Sequence, residues 1–208
     1  YRAVQQYPPV EKDTSVFTVF FAGNGFFRKG GVELLKAFQR LGRPEARLEI
    51  VSTMEVDWGV FPSPEVVAWA KRTIAGDPSI RLHRDLPHGR LIERMRTADV
   101  FVSTTFADPF INTVLEAMGA GLPVVCSMTG ALPEMVREGV NGWLLDVEGA
   151  ASEDIAAAIA EKIGLLMDSP ELLRNMGADA RTIVAERFQL SVRNAALAKV
   201  YDQAVGAT

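Results

Sequence analysis

Cysteine is almost absent from this chain. The one thiol in 208 residues, Cys126, excludes an intrachain disulfide, and its place in the apolar run PVVC predicts a small buried hydrophobe rather than a nucleophile. Histidine is scarce as well: with His83 and His88 as the only two and no Cys/His cluster, the spacing of a zinc site is missing and no metal is expected. No apolar stretch reaches the roughly 18 residues that a membrane helix requires, and the opening YRAVQQYPPV has neither the basic nor the apolar region of a signal peptide. A cytoplasmic protein without a membrane span is the expectation. An excess of positive charge is lacking too. The 22 Lys and Arg stand against 26 Asp and Glu, and the net charge of −4 gives no global attraction for nucleic acid or an anionic membrane. Any phosphate binding must be local.

Hydrophobic residues make up 48% and charged residues 23%, which is the balance of a folded globular chain and excludes intrinsic disorder. A chain of this size buries about 70% of the surface its unfolded form exposes, so its core needs no covalent staple. It opens on Tyr1 rather than methionine, which predicts a piece of something longer. Its first thirteen residues are polar and proline-containing and read as a linker, with the domain proper over 14–208.

Short runs rich in Val, Ile and Phe alternate with helix-period segments, and turn chemistry marks the junctions. Strands are expected at Val16–Gly23, RLEIVST, IRLHRDL, DVFVSTT, LPVVCSMT and NGWLLDV. Between them, helices are expected over GVELLKAFQRLG, over VVAWAKRTIAG with Ser63 as N-cap and Pro64 at the first position, and over PHGRLIERMRTA, NTVLEAMGAG and LPEMVREG. The strands read as continuous apolar runs, as when helices cover both faces of a parallel sheet. A Rossmann-like, doubly wound α/β domain of about six strands follows, with a helical segment from Ser152 to the C-terminus: EDIAAAIAEKIGLLMD, then ELLRNMGADARTIVAERF (171–188) after a Ser169-Pro170 start, then SVRNAALAKVYDQ.

In such a sheet ligands bind at the carboxyl ends of the strands, and two loops there are chemically loaded. The first, GNGFFRKGG, sets Gly23, Gly25, Gly30 and Gly31 around Arg28 and Lys29. Glycines permit close backbone approach and two cations at a helix start suit a diphosphate, while a solvated turn with a surface basic pair is the plain alternative. A dinucleotide fingerprint fails at its third glycine, where Arg28 stands, and that disfavours an NAD-dependent oxidoreductase. The second loop leads into DPFINTVLEAMGAG, where Asp108 and Pro109 read as a helix start and Asp108 as a cap. Glu116, eight residues on, would then lie about 12 Å along the axis. Unless the chain departs from helix between them, that is too far for the carboxylate pair of a glycosidase, about 5 to 9.5 Å apart, but fits two grips on one long ligand.

These motifs, in this order, resemble the C-terminal, nucleotide-sugar-binding domain of GT-B fold retaining glycosyltransferases, the group 1 glycosyl transferases that include glycogen synthases and many mannosyl- and glucosyltransferases. The resemblance covers nearly the whole chain. It runs through FFAGNGFFRKGG, IRLHRDLPHGRL against the family's VxFxGxVPxxxL, and ADVFVSTT. It continues through DPFINTVLEAMGAGLPVV against ExFGxxxLEAMAxGxPVV, then TGALPEMVREGVNGWLL and ERF.

The resemblance implies transfer of a hexosyl group from a nucleoside diphosphate sugar, with no cofactor beyond that donor substrate and an N-terminal acceptor domain as partner. It places the family's basic pair on Asn24 and Lys29, with Gly25 and Arg28 between them. The sugar-facing carboxylate falls on Asp108, phosphate-binding amides near Phe110, Ile111, Asn112 and Thr113, and the ribose-holding carboxylate on Glu116. The base would lie against His83, Arg84 and Leu86. On this reading Lys29, Arg28 and Asp108 serve catalysis. Three positions differ from the family pattern: Asn24 for Arg, Asp108 for Glu, and Ile111 for a glycine, the last expected to crowd the sugar pocket. A noncatalytic nucleotide-sugar or sugar-phosphate binding module is the alternative.

Overall fold

The computed structural model describes residues 7, 8 and 10–206. The six apolar runs form strands β1 (Phe17–Ala22), β2 (Ala46–Val51), β3 (Ile80–His83), β4 (Val100–Ser103), β5 (Val124–Ser127) and β6 (Gly142–Leu145). They build one parallel sheet in the order β3-β2-β1-β4-β5-β6. Parallel neighbours need crossovers, and helices supply them: α1 (Gly31–Leu41), α2 (Pro64–Gly76), α3 (His88–Thr97), α4 (Asn112–Ala120) and the short α5 (Leu132–Met135). Strand order reverses between β1 and β4, so a crevice opens at the carboxyl ends of those two strands.

The period of two in β1 divides the core. Val19 and Phe21 face one layer, with Leu34 and Phe38 of α1 and Ile74 of α2. Phe20 and Ala22 face the other, with Met95 of α3, Leu115 and Met118 of α4, and Met135 of α5. Continuous apolar runs hold for the central strands, but β2 corrects the expectation: Arg47 and Glu49 alternate with buried Ala46, Leu48 and Ile50. Glu49 accepts from Arg94 of α3 with both oxygens at 3.1 Å, so near the β3 edge this layer is polar.

Ser63 and Ser169 cap α2 and the later α7 as expected, each accepting a backbone N–H three residues on. The C-terminal part is helical: α6 (Ser152–Asp168), α7 (Pro170–Ile183), a π-helical turn (Val184–Phe188) and α8 (Leu190–Gly206). The π turn interrupts what the sequence reads as one helix over 171–188. Cys126 is fully buried in β5, and burial pushes its thiol pKa far up, as its apolar surroundings predict. Of the expected linker over 1–13, residues 1–6 and 9 lie outside the described residues. The rest runs irregularly along the domain: Tyr7 N–H donates to Gly119 O at 3.2 Å, and Lys12 pairs with Asp99 at 3.3 Å. Among the described residues no helix is long and apolar enough to cross a membrane.

Candidate functional site

The loop after β1 turns sharply into α1 and packs on itself. Gly30 has φ 79°, and a Cβ there would stand 2.6 Å from the Thr104 carbonyl oxygen in the loop after β4. A Cβ at Gly25 would overlap Asp57 and reach 2.9 Å from the Arg28 guanidinium, while one at Gly23 would overlap Lys29 and one at Gly31 the Phe26 ring. The glycines therefore make room for this chain's own side chains and backbone, where the sequence suggested room for a ligand. They let the loops after β1 and β4 touch: Phe106 N–H donates to Arg28 O at 2.9 Å. Asn24 is exposed at the rim.

Arg28 and Lys29 are not free cations. The Arg28 guanidinium, in a residue only 7% exposed, donates twice to Asp57, Nε to Oδ1 and Nη2 to Oδ2, both at 2.8 Å. It donates also to Ala107 O at 2.5 Å, stands 3.4 Å from Asp108, and stacks 4.5 Å from the Trp58 ring centroid. Hydrogen bonding to Arg28 holds the Asp57 carboxyl below the usual range and keeps the guanidinium firmly protonated. Lys29 Nζ donates to Asp108 Oδ2 at 2.6 Å. Two carboxylates thus match two cations, so a phosphate reaching Lys29 has to displace Asp108.

Asp108 does not start a helix, which corrects the spacing argument. Its Oδ1 accepts from Phe110 N–H at 3.2 Å, and α4 begins only at Asn112, with Ile111 as its N-cap. The delay has a tertiary cause: the cations of the β1 loop hold the Asp108 side chain, and Ala131 N–H donates to Pro109 O at 3.2 Å. Asp108 and Glu116 are therefore not spaced along one axis. Nor does Ile111 crowd a pocket, because its side chain is 2% exposed within the α3–α4–α5 core. No side chain caps α4 and no acidic residue lies in its first turn, so the amides at Asn112 and Thr113 have no intrahelical partner. Thr113 Oγ1 is buried without a partner among the described residues.

Glu116, one turn into α4, meets His88 at the start of α3: Nε2 and Oε1 are 2.8 Å apart. At the end of β3, His83 Nε2 lies 3.8 Å from Glu49 Oε2, which is too far for a hydrogen bond, and this buried nitrogen has no hydrogen-bond partner among the described residues. Burial first, then the Arg94 charge, lowers the His83 pKa. Arg84 is exposed and Leu86 half-buried in the β3–α3 loop.

The structure so brings Lys29, Arg28, Asp108, Phe110 and the α4 start together at the sheet reversal, with Glu116 flanking them on the α3 side. The sequence reading did not assign Asp57, Trp58 or His88 to the site: Asp57 and Trp58 fall in no periodic segment or loaded motif, and His88 lies in the expected helix PHGRLIERMRTA with nothing local to mark its partner. The sole local signal was an acid beside an aromatic in a loop. The cluster lies on an open face, with Asn24, Pro109, Phe110 and Asn112 exposed. Cavities lie elsewhere as well, one of about 510 Å³ lined by Lys12, Asp99 and Leu173, and one of about 780 Å³ lined by Phe27, Val66 and Trp69. Neither includes Lys29, Asp108 or Glu116. Among the described residues no three His, Cys, Asp or Glu side chains are grouped to hold a metal.

Comparison with known proteins matches residues 6–183 to the family described as Glycosyl transferases group 1. The D-inositol 3-phosphate glycosyltransferase of Streptomyces griseus is 36% identical over 126 residues, which cover 61% of this chain and 25% of that protein. The alpha-maltose-1-phosphate synthase of Mycolicibacterium smegmatis is 27% identical over 174 residues, covering 82% of this chain and 43% of that one. The chain spans less than half the length of these relatives. In fold it is similar to Anabaena HepE solved with UDP-glucose, with a TM-score of 0.71 at 22% identity over 90% of this chain and 49% of that chain. It is similar also to the C-terminal domain of the Francisella tularensis group 1 protein LpcC, with a TM-score of 0.66 at 18% identity, covering 84% of this chain and 87% of that one. At these identities the likeness is one of fold.

Proposed function

The chain belongs to the glycosyl transferases group 1 family, and from that membership we propose that residues 14–208 are the donor-binding half of a retaining glycosyltransferase. It moves a hexosyl group from a nucleoside diphosphate sugar to an acceptor held by an N-terminal domain, with residues 1–13 as the linker. The observation that carries this reading is the Lys29–Asp108 pair, 2.6 Å apart at the sheet reversal beside the uncapped start of α4. The open face of the cluster fits a cleft that a second domain closes. The lone buried thiol suits a cytoplasmic setting.

In this scheme the donor diphosphate lies over the α4 N-terminus, where the amides at Ile111, Asn112 and Thr113 and the helix dipole favour negative charge. Lys29 exchanges Asp108 for a phosphate oxygen. The released Asp108 accepts a hydroxyl of the donor sugar, and Phe110 flanks it. Asn24 and Gly25 border the diphosphate. Glu116 takes ribose hydroxyls, and the base lies against His83, Arg84 and Leu86. Arg28, tied to Asp57, serves by holding the 107–108 carbonyl and carboxylate in place. As the bond from the anomeric carbon to phosphate breaks, charge grows on the leaving phosphate, where Lys29 and the amides meet it. The acceptor hydroxyl attacks from the face the phosphate leaves, and its proton passes to a phosphate oxygen. One observation favours the noncatalytic alternative: with Arg28 committed to Asp57, Lys29 alone of the Arg28–Lys29 pair is left for the diphosphate.

Calorimetry with UDP, ADP, GDP and their sugar conjugates tests the reading. One of the three nucleotides should bind the 208-residue chain weakly, and no sugar should be transferred, because donor and acceptor need two domains closing on one cleft. Absence of binding to all three, or robust transfer by this chain alone, would overturn it. Lys29→Ala should weaken diphosphate binding by about 1.5 to 3 kcal/mol, the range for a hydrogen bond to a charged group, whereas a chelator should leave it unchanged. A strict requirement for a divalent ion would contradict the charge assignment.

The two carboxylates separate by ligand. Glu116→Ala should weaken free diphosphate and sugar conjugate alike, by about 1 to 3 kcal/mol. Asp108→Asn should leave the free diphosphate unchanged or tighter, since it removes the competitor for Lys29, while the part of binding that depends on the sugar drops. Equal affinities for both ligands across the wild type and both variants would retire the assignment.

A further inference from the structure

We infer that His88 is a positioning residue for Glu116: its imidazole holds the carboxylate in the one orientation that meets ribose, and so sets how strongly the site prefers a ribonucleotide to its dideoxy counterpart. This rests on the reading of Glu116 as the ribose acceptor. The geometry is direct. His88 Nε2 lies 2.8 Å from Glu116 Oε1, with the two side chains 34% and 13% exposed. A carboxylate only accepts, so in the neutral imidazole the proton sits on Nε2 and points at Oε1. Oε2 has no partner among the described residues, yet it is not one of the buried unpartnered atoms. The carboxylate is thus anchored by one oxygen and open to solvent with the other.

The anchor is rigid. His88 is the first residue of α3, preceded by Pro87 with φ −53° and ψ 143°, and α3 shares a core with α4 through Ile92, Met95, Leu115 and Met118. A free glutamate side chain samples many rotamers, and ordering it on binding weakens the net gain from each hydrogen bond it makes. His88 removes that cost before the ligand arrives. A plain staple between two helices would hold α3 against α4 without reference to ribose, and the two roles differ in what they predict for ligands.

The test is calorimetry on the 208-residue chain with UDP, ADP and GDP and with the 2′,3′-dideoxy counterpart of each, in wild type, Glu116→Ala, His88→Ala and His88→Gln. The wild type should prefer the ribonucleotide it binds by about tenfold, as expected of hydrogen bonds to a charged group. His88→Ala should shrink that preference to about threefold or less while leaving dideoxy affinity unchanged, and His88→Gln, whose amide can donate near the Nε2 position, should restore much of it. Equal loss on both ligand forms, or an undiminished preference, would overturn the positioning role. Should His88→Ala not fold, the preference retained by His88→Gln and lost in a His88→Leu variant decides the same point. Failure of the parent reading looks different: the wild type shows no ribose preference, or Glu116→Ala keeps it.

Discussion

Asp57→Ala should lower the stability of the chain by about 2 to 4 kcal/mol, somewhat under the range for removing one partner of a fully buried ion pair, because Asp57 is 28% exposed. The cost arises less from the lost attraction than from what remains. Arg28, with its side chain 8% exposed, would keep a buried charge whose two best acceptors are gone. Its contacts to Ala107 O and the Trp58 ring would remain without a full negative charge, and the one carboxylate left near it, Asp108 at 3.4 Å, is shared with Lys29. Urea denaturation of Arg28→Leu, Asp57→Ala and the double variant measures this: the double variant should be more stable than the sum of the single losses predicts. A single-variant loss below about 0.5 kcal/mol, the level of an ordinary exposed pair, would show the clamp to be decorative. The pH dependence has a defined sign. Hydrogen bonds from Arg28, opposed by burial and aided by the charges of Arg28 and Lys29, depress the folded-state pKa of Asp57. Its contribution is then fully present above the unfolded value of about 3.9 and is lost as the pH falls through the folded value. The stability gap between wild type and Asp57→Asn should accordingly be flat above about pH 5 and shrink below pH 4.

Gly30→Ala should be as damaging, at about 2 to 4 kcal/mol, for a reason that lies in the backbone. The residue has φ 79°, where a Cβ costs about 1 kcal/mol or more. That Cβ would also overlap Thr104 Oγ1 and stand 2.6 Å from the Thr104 carbonyl oxygen, and overpacking of this kind adds about 1 to 3 kcal/mol. Trimming Thr104 would relieve the first overlap and leave the second. Because the same contact sets the β1 loop against the β4 loop, the variant should also lose diphosphate affinity. Gly164→Ala is the matched control. Gly164 lies inside α6 with open space at its Cβ position, so alanine there should stabilise by about 0.5 to 1 kcal/mol. Denaturation midpoints moving in the same direction for both variants would refute the steric account.

The alternation of apolar runs with helix-period segments was enough to read the six strands, the crossover helices and the helical C-terminus. Each is set by side chains a few residues apart, and burial of their apolar faces demands a parallel sheet with helices on both sides. The Ser63 and Ser169 caps, the buried thiol and the two chemically loaded loops were legible on the same local grounds. The start of α4 was not. Asp108–Pro109 has the chemistry of a helix start, but Asp108 is claimed by Lys29 and Arg28, nearly eighty positions earlier, and the helix waits until Asn112. The partners of the charged groups escaped for the same reason: Asp57 reaches Arg28 across 29 positions and His88 reaches Glu116 across 28. Sequence determined the elements and their order, because periodicity and capping act over one or two turns. Tertiary structure alone decided which charges neutralise one another and which remain open to a ligand, because an ion pair depends on where the reversal between β1 and β4 brings separate loops together.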